Sequence, residues 1–242
     1  MSTEHKVAIV TGASQGIGAG ILRAFRDRNY RVVATSRSIK PVADSGIVTV
    51  QGDIGAADTA ERVFKTAFET FGRVDTLVNN AGMFMAKPFT IYSQDDYAIY
   101  MSTNVTGFFH MTQRALEFMG KQGRGHVVTI TTSLVDQPMS SVPAALASLT
   151  KGALSAATRA LAIEYAKTGV RINAVSPGII KTPMHPPEAH PVLAALHPMG
   201  RMGDVSDVVD AVLYLDGAQF VTGEILHVDG GQAAGHHMVQ GA

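Results

Sequence analysis

The chain has 242 residues and is 46% hydrophobic, enough for one large domain whose core needs neither disulfides nor metal. Its 20 basic and 20 acidic residues cancel without a charge run, which leaves a nucleic-acid or membrane-surface partner unsupported. The absence of cysteine excludes disulfides, thiolate nucleophiles and Cys-ligated zinc. The start, "MSTEHKVAIVTG", has no signal-peptide layout, and no run of eighteen apolar residues follows. A cytoplasmic chain is expected.

Short β-branched runs alternate with longer helical patterns. The spacing predicts strands over Lys6–Thr11, Arg31–Ser36, Ile47–Gln51, Thr76–Val78, His126–Thr131, Arg171–Val175 and Glu224–Val228. Helices are predicted near Gly16–Arg28, Ala57–Phe71, Asp95–Met119, Ala147–Lys167 and Ser206–Leu215. Runs such as "VAIV" and "HVVTI" are apolar without alternation, as strands covered on both faces must be. This rhythm predicts a single-domain, doubly wound α/β fold with a seven-stranded parallel sheet and helices on both faces. The segment from Pro183 to about residue 200 carries five prolines and three histidines up to Pro198, and reads as a lid over a site. The tail after Gly230 is small and polar, and is expected to be flexible or docked on a partner subunit.

"TGASQGIG" sets Gly12, Gly16 and Gly18 between the first strand and the first helix. Gly12 permits the tight turn, Gly16 lets backbone approach a pyrophosphate, and Gly18 lets helix and sheet pack closely. Ser14, Gln15 and Ile17 complete this loop, whose helix N-terminus offers free N–H groups to phosphate. At the end of the second strand, where an acid would hold a ribose 2′-hydroxyl, stand Ser36 and Arg37. A carboxylate would repel a 2′-phosphate, whereas arginine pairs with one. NADP(H) is therefore favoured, with NAD(H) possible.

With these motifs in order, the sequence resembles the short-chain dehydrogenase/reductase family over nearly its whole length. In that resemblance Asp53 and Ile54 of "GDI" border adenine. Asn80, Ala81 and Gly82 of "NNAG" border the cofactor, and so do Pro177, Gly178, Ile180 and Thr182 of "SPGIIKTPM". The family's reaction is hydride transfer between a nicotinamide and a small-molecule carbonyl or alcohol, often by a homotetramer. Its active site uses Ser, Tyr, Lys and Asn. Lys151 and Asn104 match; the serine falls on Ser133, with Thr132 close behind.

The tyrosine does not match. It should stand four residues before the lysine, on the same helix face; that residue is Ala147. Four readings stay open. The tyrosine of this chain has been substituted; or a water held by Lys151, Asn104 and Ser133 replaces it; or a lid histidine (His185, His190 or His197) reaches in; or the protein binds NADP(H) without chemistry. The spacing of these histidines with Glu188 is a weak metal signal, and no metal site is expected.

Overall fold

The computed structural model describes residues 5–235. Seven strands, β1 (Val7–Thr11), β2 (Arg31–Ser36), β3 (Ile47–Gln51), β4 (Thr76–Asn79), β5 (Gly125–Ile130), β6 (Val170–Pro177) and β7 (Ile225–Val228), form one parallel sheet in the order β3-β2-β1-β4-β5-β6-β7. The helices are α1 (Gly16–Asp27), α2 (Ala57–Phe71), α3 (Gln94–Tyr100), α4 (Gly107–Gln122), α5 (Ala145–Tyr165), α6 (His190–Ala195) and α7 (Val205–Gly217). This is the expected single-domain, doubly wound Rossmann arrangement.

Successive strand residues feed opposite cores, because strand side chains alternate faces. Ile9 joins Phe64 of α2, Met111 and Met119 of α4 and Ala162 of α5. Its neighbours Ala8 and Val10 join Ile21 and Phe25 of α1 and Val208, Val212 and Leu215 of α7. Phe25 and Phe64 are fully buried, each burial contributing about 1.5–3 kcal/mol.

The strands lie within two residues of their sequence positions. The helix expected over Asp95–Met119 is instead interrupted. Met101–Thr106 form a π-helical turn between α3 and α4, a local widening that often marks a functional site. The expected lid holds the short helix α6, which the prolines and histidines hid. Of the small polar tail, residues 231–235 are described and dock on the domain. Gln232 is 4% exposed and packed into its own chain; residues 236–242 lie outside the described residues.

At the amino ends of the strands, Asp216 accepts hydrogen bonds from Tyr30 Oη and Thr76 Oγ1, both at 2.6 Å. Burial works against its charge, but nearby His126 and the bonds from Thr76 and Tyr30 hold the carboxyl below the usual range.

Candidate active site

A cleft of about 380 Å³ opens at the carboxyl ends of the strands. From β1 the chain winds outward to β2 and β3, and β4 then begins the other half of the sheet on the opposite side of β1. A doubly wound fold binds its ligand at such a switch point.

One half of the cleft is lined by Gly12, Ser14, Gln15, Gly16 and Ile17, by Ser36 and Arg37 at the end of β2, and by Asp53 and Ile54 after β3. Gly12 has φ +65°, which strains any other residue. A Cβ on Gly18 would lie 2.3 Å from Gly12 O, so only glycine lets α1 start so close to β1. Gly18 therefore sits beneath the loop and does not line the cleft. Asn80 braces the turn from below, its Nδ2 donating to Thr11 O at 2.9 Å. Gln15, before α1, gives the helix no side-chain cap, so its first N–H groups are left for a ligand. This cradle of bare backbone and a helix start fits a dinucleotide pyrophosphate. Arg37 is exposed and has no ion-pair partner among the described residues.

The other half is lined by Asn80, Ala81, Gly82, Thr132, Ser133, Lys151, Pro177, Gly178, Ile180 and Thr182. Lys151, on α5, donates to Thr131 O at 2.9 Å and Ile130 O at 3.4 Å, at the end of β5. Burial lowers its pKa to about 8. Asn104, on the π-helical turn, does not line the cleft. Its Oδ1 accepts from Met83 N at 2.9 Å and its Nδ2 donates to Thr150 Oγ1 at 3.1 Å, tying the cleft wall to α5.

The two candidate hydroxyls differ. Ser133 is 1% exposed and donates to Gln232 Oε1 at 2.8 Å. Gln232 Nε2 donates in turn to Leu196 O at 3.2 Å, beyond α6. Thr132 is half-buried, and its Oγ1 accepts a long bond from Leu134 N at 3.4 Å, so its proton stays free.

Ala147 does not line the cleft. It is fully buried in an apolar cluster with Tyr100, Leu134, Ala144 and Leu146, against which Met83, Phe84 and Met139 pack. Met83, Phe84, Leu134 and Met139 also line the cleft, so the apolar cluster around Ala147 borders it.

A family model for enoyl-(acyl carrier protein) reductase matches residues 12–233. The 3β-hydroxysteroid dehydrogenase 1 of Eggerthella lenta is 33% identical, covering 93% of this chain and 93% of its own. The chain belongs to the short-chain dehydrogenase/reductase family. As a member it is an NAD(P)-dependent oxidoreductase. Two solved structures carry the likeness into three dimensions. ElxO with NADP bound superposes with TM-score 0.90 at 28% identity, covering 96% of this chain and 100% of that one. The 3-ketoacyl-(acyl-carrier-protein) reductase of Brucella melitensis complexed with NADH gives 0.88 at 27%, over 96% of this chain.

Relative to the short-chain dehydrogenase/reductase pattern, the three histidines after Thr182 have separate fates. His197 is buried; its Nε2 accepts from Ile179 N and its Nδ1 bonds Leu193 O, both at 3.0 Å. His190 Nε2 bonds His185 O at 3.1 Å. Of the three, His185 lines the cleft, beside Pro183 and Met184. Among the described residues no group of three or more His, Asp or Glu side chains is placed to hold a metal, and no helix is long and apolar enough to cross a membrane. Sequence reasoning missed Gln232, Met83, Phe84 and Met139, which carry no motif.

Proposed function

We propose that this enzyme reduces an apolar ketone or aldehyde to the alcohol with NADPH, and runs the reverse with NADP⁺. The observation that carries the reading is the meeting of Lys151 and Thr132 at one end of a cleft whose other end is a phosphate cradle. Bound there, the nicotinamide supplies or accepts the hydride. Gly12 to Ile17 hold the pyrophosphate, Asp53 and Ile54 border the adenine, and Arg37 pairs with the 2′-phosphate. Asn80 to Gly82 and Pro177 to Thr182 wall the nicotinamide. Thr132 donates to the substrate oxygen, while Ser133 keeps its proton on Gln232 and serves the wall.

The substrate end offers Met83, Phe84, Leu134, Met139 and Met184 and no carboxylate. Flexible thioethers adapt to varied apolar shapes. Residues 183–200 act as the lid, anchored where Gln232 holds Leu196. Phe109 on α4 and Leu149 and Ile163 on α5 expose apolar side chains, which supports assembly as a homotetramer through these helices.

NADPH titration by fluorescence, followed by consumption assays with apolar ketones, tests the reading. Binding with turnover supports it. Binding without turnover on a broad panel makes the protein a cofactor-binding module instead.

A further inference from the structure

With no phenol at position 147, some other group must protonate the substrate oxygen. The tyrosines nearest the vacant role are tied elsewhere. Tyr100 and Tyr92 both bond the Met85 backbone, and neither lines the cleft. His197 has both ring nitrogens committed, and His190 lies off the cleft. The ionisable side chains that line it are Arg37 and Asp53 at the adenosine end, and Lys151 and His185 at the nicotinamide end.

Building on the proposed NADPH-dependent carbonyl reduction, we infer that Lys151 is itself the general acid of this enzyme, giving a proton from Nζ to the substrate oxygen. Two Nζ–H bonds are held by Thr131 O and Ile130 O at the end of β5, which leaves the third proton for the cleft. Thr132 follows these carbonyls directly, so the hydroxyl that polarises the carbonyl and the ammonium that protonates it stand on one rigid corner. His185, by contrast, rides on the exposed segment after Thr182. The groups packed against Lys151 are neutral: Gly82 after β4, the π-helical turn with Asn104, and the β5 carbonyls. No charged side chain perturbs Lys151; burial alone brings it to about 8, where an acid both holds and releases its proton near neutrality.

The step balances. The carbonyl carbon accepts hydride from the reduced nicotinamide, the C=O π pair moves to oxygen, and that oxygen takes the Nζ proton. The products are the alcohol, oxidised cofactor and a neutral amine, which solvent reprotonates.

Five measurements test this. In the cofactor-free protein labelled with ¹³C-lysine, the Lys151 Cε resonance, assigned by its loss in Lys151→Arg, should titrate near pH 8. In the wild type, kcat for carbonyl reduction should fall as pH rises through about 8. Lys151→Arg should bind NADPH yet lose that break and about 10²-fold or more in kcat. Lys151→Ala should regain activity with added ethylamine, which a purely structural lysine would not allow. His185→Gln should keep the break. Turnover without a break near 8 and without amine rescue overturns the inference and leaves the oxidoreductase reading standing. Loss of the break in His185→Gln assigns the acid to the lid. NADPH binding with no wild-type turnover overturns both.

Discussion

Ser133 Oγ and Gln232 Oε1 lie 2.8 Å apart across 99 residues of sequence. The bond spends the Ser133 proton on the wall and leaves Thr132 as the free hydroxyl. Gln232 also grips Leu196 O, so one amide joins the end of β5 to the lid anchor. Replacing it with leucine should cost about 1–3 kcal/mol, since two buried partners lose their bonds. In Gln232→Leu, the amides of Leu193 to His197 should exchange faster and KM for ketone should rise more than kcat falls. Thr132→Val should lower kcat/KM about tenfold or more, and Ser133→Ala less. The opposite ranking would return the substrate to Ser133.

The proposed pairing of Arg37 with a 2′-phosphate makes a prediction about cofactor preference. NADPH should bind about tenfold or more tightly than NADH, and Arg37→Asp should reverse the order, because a charge-assisted hydrogen bond contributes about 1.5–3 kcal/mol. Fluorescence titration with both cofactors checks this; equal affinities would remove the 2′-phosphate contact.

Ala147 is fully buried among Tyr100, Leu134, Ala144 and Leu146, so a phenol there must find room inside that cluster. Ala147→Tyr should lower stability by about 1–3 kcal/mol, as overpacking does, and leave ketone reduction within a few-fold of wild type. Denaturant melts and NADPH consumption measure both. A gain of 10²–10⁴-fold, the usual contribution of an added acid, would show that the site still accepts tyrosine.

Much of this was legible in the sequence, for physical reasons. Strands buried on both faces announce themselves as β-branched runs, and "TGASQGIG" encodes a turn whose φ values and close packing only glycine allows. Lys151 and the strand-end hydroxyls could be placed because their helix and strand were clear. The Ser133–Gln232 bond, which bears on the choice between Thr132 and Ser133, could not be read, because Gln232 arrives from the far end of the chain. The π-helical turn was equally hidden, since it is a single turn inside a longer helical pattern and no residue type marks it. His197 looked like its neighbours in a Pro/His-rich loop until burial separated them.

Asp216 makes stability depend on pH. Its folded carboxyl titrates below the ordinary 3.8, so its contribution is fully present above that value and is lost as pH falls through the lower folded one. Asp216→Asn should therefore cost about 1.5–3 kcal/mol at pH 5–8, and the gap to wild type should begin to narrow below pH 4 and shrink further as pH falls. Urea unfolding at pH 7 and pH 3 supplies the comparison; a gap independent of pH would mean that the charge contributes nothing.

The most direct measurement is label transfer. The enzyme would be incubated with NADPH deuterated at C4, on each face in turn, and an apolar ketone, and the alcohol analysed by mass spectrometry. Hydride transfer in this cleft should place deuterium on the carbinol carbon from one face alone. Tightly bound NADPH that never delivers its label to any ketone would contradict the assignment.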